Sequence, residues 1–148
     1  HAGLIDVDAP ESQPVDAFWE RVALADLVAG GLVLNPDEFY ILASHEFVTV
    51  PKDYAAEMRA YDTRVGEFRA HYAGFFDPGF GMAELGAGGT RAVLEVRSHD
   101  VPFLIEQGQT VCRLVYEPML AVPETLYGTA GSNYQCQGLR LAKHFIQE

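Results

Sequence analysis

The chain has 148 residues, of which 49% are hydrophobic, enough to build the core of one domain of ordinary size. It has no apolar run of the about 18 residues that a membrane span requires. Its 21 acids against 10 bases give a net charge of −11, which argues against non-specific binding to duplex nucleic acid but leaves room for a small anionic ligand.

The first fifteen residues, HAGLIDVDAPESQPV, hold an alternating LIDV piece and two prolines, which predicts a short strand followed by loop. The stretch AFWERVALADLVAGG predicts a helix closed by Gly30 or Gly31, although its apolar positions fit no single helical face. From residue 32 the pattern is that of strands. LVLN, EFYILAS and EFVTV are short and rich in β-branched and aromatic residues. They are separated by Asn35-Pro36-Asp37, Ser44-His45 and Pro51-Lys52-Asp53.

HYAGFFDPGFG, residues 71–81, combines the core-type residues Tyr72, Phe75, Phe76 and Phe80 with a turn built from Asp77, Pro78 and Gly79. LGAGGT, with glycines at 86, 88 and 89, predicts a hairpin tip; it lacks the Lys-Ser/Thr ending of a phosphate-binding loop. RAVLEVRS, VPFLIE and TVCRLVYE complete the series of strands. Short strands with turns about every ten residues predict a mainly β sandwich or barrel.

Within RAVLEVRS, Val93, Glu95 and Arg97 share one face, and Ala92, Leu94 and Val96 the other. On pattern alone, Glu95 belongs to an exposed face. Arg59, Arg64 and Arg69 lie close together and form either a local anion site or ion pairs with Asp62 and Glu67. Cys112 and Cys136 form no C-x-x-C pair, so neither a zinc site nor a thioredoxin motif is indicated. A disulfide stays open, and a reduced cytosolic protein is the simpler reading. His45, His71, His99 and His144 show no metal-ligand spacing and read as structural or surface residues. The chain opens on His1, not Met, which sets the expectation of a fragment or a processed product.

The order of these pieces resembles the dCTP deaminase and dUTPase superfamily over most of the chain. PDEFYILASHEFVTVPKDYAAEM is similar to that family's strand-turn-strand, and HYAGFFDPGFG to its AG-x-x-DPGF turn. VLEV is similar to the strand bearing its catalytic glutamate, FLIEQGQTVCRLVYEPM to its PGQ hairpin, and SNYQCQG to its carboxy-terminal YQ-x-Q-x-G motif. The resemblance is to the carboxy-terminal half of a longer, tandem dCTP deaminase. The expectation is therefore one dUTPase-like domain over residues 1–148, a fragment of that longer protein.

The resemblance implies a distorted jelly-roll β-barrel with little helix, assembled as a homotrimer or pseudo-trimer with sites between subunits. It implies hydrolytic deamination of dCTP to dUTP in the cytoplasm, with no protein-ligated metal and with Mg²⁺ carried by the triphosphate. No nucleic acid or membrane partner is expected. Glu95 stands at the position of the catalytic base, for which a partly buried carboxylate of raised pKa is suited. The family's G-R-S-S-x-x-R segment falls on residues 58–64. Arg59 and Arg64 therefore take the phosphate-binding positions, and Arg69 matches none.

Tyr72, Ala73 and Gly74 would read the pyrimidine, Asp77 would approach the 3′-hydroxyl, and Tyr134 and Gln137 would close over the triphosphate. Ala60 and Tyr61 replace the family's two serines, and Asn133 replaces its lysine. A complete serine–arginine segment would then come from the other half of a tandem protein. Two alternatives accompany this reading: a dUTP diphosphatase or bifunctional enzyme, and a non-catalytic nucleotide-binding half.

Overall fold

The computed structural model describes residues 3–27, 30–60, 69–71, 74–85, 88–98, 100–129, 138–139 and 141–146. Among these residues eight strands run in chain order: β1 (Gly31–Leu34), β2 (Phe39–Val48), β3 (Tyr54–Ala60), β4 (Arg69–His71), β5 (Phe75–Phe76), β6 (Thr90–Arg97), β7 (Phe103–Glu106) and β8 (Cys112–Pro118). They form a two-stranded sheet β1-β7 and two three-stranded sheets, β2-β6-β4 and β5-β3-β8. The pairings between these strands are antiparallel. Helix is confined, among the described residues, to 3₁₀ turns at Val15–Ala17, Leu24–Asp26 and Ala83–Leu85. The expectation of a mainly β fold with little helix is met.

The chain divides into two compact units, Gly31–Leu139 and a smaller one made of His1–Gly30 with Arg140–Glu148. The larger unit holds one core of Leu34, Val50, Ala56, Met58, Phe76, Phe80, Ala92, Leu94 and Val96. Strand β6 shows how the sequence places it. Ala92, Leu94 and Val96 are buried, while Glu95 and Arg97 on the alternate positions are exposed, as the period of two requires.

Three details differ from the sequence expectations. EFYILAS and EFVTV are not two strands but the single ten-residue β2. Its pairing with β6 passes directly from Ala43↔Val93 to Phe47↔Arg91, with a bulge between. Two extra residues on β2 preserve the parity of faces, so Phe47 stays on the outward side with Ala43. Arg91 fastens the bulge: its Nη1 donates to the carbonyl oxygens of Ser44 (2.5 Å) and His45 (3.3 Å), and its guanidinium stacks 4.7 Å from the Phe47 ring centroid. The Ser44 hydroxyl accepts from the Ala92 amide at 2.9 Å.

Among the described residues the predicted amino-terminal helix is absent; Val15–Ala17 and Leu24–Asp26 are single 3₁₀ turns. The stretch lacks one apolar face, and its aromatics serve a tertiary contact instead. Phe18 and Trp19 meet Phe145 edge-on at 5.6 and 6.2 Å. Phe145 is itself fixed by a parallel bridge to Gln13. The LIDV piece forms no strand and leaves Leu4 and Val7 exposed. Of the glycine segment 85–90, expected to form a hairpin tip, Gly86 and Ala87 lie outside the described residues.

Replacing Arg91 by alanine removes two hydrogen bonds to bulge carbonyls and one cation–π contact. Arg91→Ala is expected to destabilise the chain by about 1–3 kcal/mol, seen as a lower urea midpoint at unchanged m-value.

Candidate functional site

Glu95 lies on the outward face of β6 and is exposed in the single chain. Its Cα partners are Ile41 on β2 and His71 on β4. Arg97, next on the same face, stands 5.8 Å from the Phe39 ring centroid. The sequence expectation of a partly buried Glu95 is not met within one chain. The strand that carries it buries its even-numbered positions, so no surface of this chain's own core covers the odd ones.

The aspartate turn is built more firmly than its composition requires. The Phe80 amide donates to the Asp77 carbonyl at 3.1 Å, and Gly79 has a φ of 98°. Proline at the second position and a left-handed glycine at the third make this a type II turn. Neighbouring segments then hold it. Gly79 N–H donates to the Val50 carbonyl at 3.0 Å, and Val50 N–H to the Phe80 carbonyl at 2.8 Å. Tyr127 N–H donates to the Pro78 carbonyl at 2.8 Å.

Phe76 and Phe80 are buried, with ring centroids 5.0 Å apart, and Phe80 meets Tyr127 at 5.5 Å. Phe75 is the exception to the expected aromatic core: it is 78% exposed, because it takes the outward position of the two-residue β5. Gly74 and Asp77 flank that strand and are both exposed.

Gly81 closes the turn. With φ at +70°, a Cβ there would lie 2.1 Å from the Val48 carbonyl oxygen. Its own carbonyl accepts from the Thr49 hydroxyl at 3.2 Å.

Arg59 sits on the outward face of β3. Its Nε donates to Glu57 Oε2 at 2.7 Å, and its Nη2 to Glu117 Oε1 at 3.3 Å. The hydrogen bond and charge of Glu57 hold the guanidinium above its ordinary pKa, with a smaller contribution from Glu117. Sequence reasoning named Asp62 and Glu67 as its ion-pair partners; both lie outside the described residues, and neither Glu57 nor Glu117 was named. Glu57 was findable, since a period of two sets residue 57 beside 59 on a strand. Glu117 is non-local and follows only from the β3–β8 register.

The structure thus brings Gly74, Asp77 and Arg59 to one sheet, through β5 and β3, and puts Glu95 on another. The link between them is β4: His71 is paired with Glu95, and Gly74 follows three residues later. Arg64, Tyr72, Ala73, Tyr134 and Gln137 lie outside the described residues, as do Tyr61, Cys136, Asn133 and Arg140. Cys112 is a free, half-buried thiol, its pKa raised by desolvation and secondarily by Glu46. Among the described residues, no group of three or more His, Cys, Asp or Glu is placed to hold a metal ion. No helix among them is long and apolar enough to cross a membrane.

Residues 1–145 match the family model described as 2′-deoxycytidine 5′-triphosphate deaminase (DCD), C-terminal domain. The chain belongs to this family. A solved structure titled 2′-deoxycytidine 5′-triphosphate deaminase from Agrobacterium tumefaciens is 58% identical. It superposes with a TM-score of 0.73, covering 84% of this chain and 36% of that one. Curated relatives named "dCTP deaminase, dUMP-forming" include one from Methanothermobacter thermautotrophicus, 28% identical over 82% of this chain and 58% of its own length. Another, from Beutenbergia cavernae, is 31% identical over 88% of this chain and 65% of its own. The chain therefore spans less than two thirds of these relatives. The fold is the dUTPase-like type of the deaminase family.

Gly81→Ala forces both backbone strain and a carbonyl clash, and is expected to cost more than about 2 kcal/mol in urea unfolding. Gly74→Ala, where a Cβ meets nothing within 4 Å, is expected to stay within about 0.5 kcal/mol of the parent.

Proposed function

We propose that this chain carries a catalytic unit of a dCTP deaminase, acting on dCTP with water to give dUTP and ammonia. The observation that carries the reading is the register His71↔Glu95. It sets the carboxylate of a strand from this family beside the start of the segment, residues 72–74, that would pass over the pyrimidine. Glu95 takes a proton from water, and the hydroxide so formed adds to C4 of cytosine. The proton is returned to the exocyclic amino group, the C4–N bond breaks and ammonia leaves, while the proton of the added hydroxyl passes to N3 to give the C4 carbonyl of uracil. A base that must also give its proton back works best in a dry site.

A second chain supplies the cover in this reading. The faces bearing Glu95 and Arg59 both point away from one shared core, with Leu94 and Val96 behind the first and Met58 behind the second. A single chain therefore turns its base and its phosphate-binding arginine to different sides, and a site that uses both is assembled between subunits, in a homotrimer or pseudo-trimer. Arg59 and Arg64 bind the triphosphate, with Tyr134 and Gln137 closing over it, and Mg²⁺ is carried on the phosphates. Asp77, on its rigid turn, meets the deoxyribose. Residues 1–148 form one dUTPase-like domain of a longer tandem protein of the cytoplasmic nucleotide pool.

The curated relatives' dUMP-forming activity supports a second reading, in which the same site also removes diphosphate. Incubation with dCTP and Mg²⁺ separates the two: dUTP with ammonia is the expected product, and dUMP with pyrophosphate marks the bifunctional enzyme. Glu95→Gln is expected to lower kcat for ammonia release at least about 10²-fold. Equal turnover of dCTP by parent and variant contradicts the assignment of Glu95. A folded chain with no turnover favours the non-catalytic half, for which Ala60 and Asn133 speak.

A further inference from the structure

The outward face shared by β2 and β6 has the make-up of an interface core. Register sets Phe39 opposite Arg97, Ile41 opposite Glu95 and Phe47 opposite Arg91. Aromatic residues and arginine are enriched at the centres of protein interfaces, and lysine and the acids are depleted there. Phe39 and Phe47 are 38% and 62% exposed in the single chain. On these two strands the face carries two arginines against one carboxylate, in a chain whose net charge is −11. Two copies of so acidic a chain repel one another, so association is favoured through a face of local positive charge.

Of the two arginines, Arg97 is the one open to a partner. Arg91 is committed to the carbonyls of the β2 bulge. Arg97 is exposed and seated 5.8 Å from the Phe39 ring centroid, and among the described residues it is joined to no carboxylate. The ring restrains the guanidinium without using its N–H donors. A fork held in this way keeps a preformed edge for a carboxylate. The matching acid lies on the outward face of β3 and β8, where Arg59 is bonded to two unequal carboxylates. Glu57 stands 2.7 Å from Nε with its side chain 34% accessible; Glu117 stands 3.3 Å from Nη2 with its side chain 64% accessible. The second pair is the longer and the more exposed, and pairs of that kind are weak. Glu117 is therefore the acid that a second cation can draw off.

We propose that the β2–β6 face docks on the β3–β8 face of a second copy of this chain, with Arg97 of one copy taking Glu117 of the other away from Arg59. The proposal rests on the reading in which Glu95 and Arg59 of different chains serve one site, and it names the contact that brings them together. Two different faces meet, so the contact is heterologous and closes into a ring, as a homotrimer requires. The exchange keeps charges balanced: the Arg97–Glu117 pair replaces the Arg59–Glu117 pair, and Nη2 of Arg59 is left to donate to a phosphate oxygen. Assembly thereby frees the phosphate-binding arginine. Arg97 and Glu117 are positioning residues, acting through Arg59 and through the cover they bring over Glu95.

Sedimentation velocity over a range of chain concentrations tests this without requiring turnover, on chains whose fold is checked by far-UV circular dichroism. Arg97→Glu and Glu117→Arg are each expected to weaken self-association at least about tenfold, because each puts like charges in contact. The double variant restores the pair with its signs reversed and is expected to associate within about threefold of the parent. Lys52→Glu and Glu106→Lys, exposed charges outside these two sheets, set the scale of general charge effects.

The proposal is overturned if the wild type stays monomeric up to its solubility limit, or if the single variants associate as the two controls do. It is also overturned if the double variant associates no more tightly than either single variant. The expected pattern in a chain that does not deaminate dCTP keeps the interface and rejects the deaminase reading. Turnover of dCTP by a wild type whose association neither swap disturbs keeps the deaminase reading and overturns the interface.

Discussion

Burying Ala92, Leu94 and Val96 on one side of β6 leaves Glu95 only the other side. That parity is the constraint on which the rest of the larger unit depends. The same core receives Ala56, Met58 and Phe76 from the sheet β5-β3-β8, so Arg59 is turned outward by the same rule. Hydrophobic burial, which is non-directional, thus fixes the direction of two charged groups once strand alternation is imposed. The two groups end on different faces, and this geometry leads from a single fold to a proposed site shared between chains.

Two local devices keep that arrangement in register. The bulge in β2 absorbs two residues without exchanging its faces, and Arg91 supplies the donors that its carbonyls would otherwise lack. The aspartate turn is held from three directions, by its own Asp77–Phe80 bond and by contacts from Val50 and Tyr127. An exposed Asp77 on so constrained a backbone fits a residue that positions a ligand, since rigid presentation limits the entropy lost on binding.

Much of this was legible in the sequence. The strands at Gly31–Leu34, Phe103–Glu106 and Cys112–Pro118, and the division of faces on β6, followed from β-branched patterning and a period of two. The turn at Asp77-Pro78-Gly79 followed from proline and glycine chemistry. The misses have physical causes. Ser44-His45 has turn composition, but its backbone bonds are met by Arg91, far along the chain, and β2 continues through it. Phe18 and Trp19 suggested a helix, yet they are spent on Phe145, a contact from the far end of the sequence. β4 and β5 are three and two residues long, below the length at which alternation can be recognised. Glu117 beside Arg59 required the register of β3 on β8, which no local pattern contains.

The central claim is that Glu95 and Arg59 serve one site from two chains. Co-refolding Glu95→Gln chains with Arg59→Gln chains, each inactive alone, tests it directly by ammonia release from dCTP. Random mixing is expected to restore about a quarter of the wild-type sites, since half of each contributing partner is intact. Activity of the mixture that stays at the level of the separate variants, in oligomers shown to contain both chains, would place both residues in one chain's site and contradict the account.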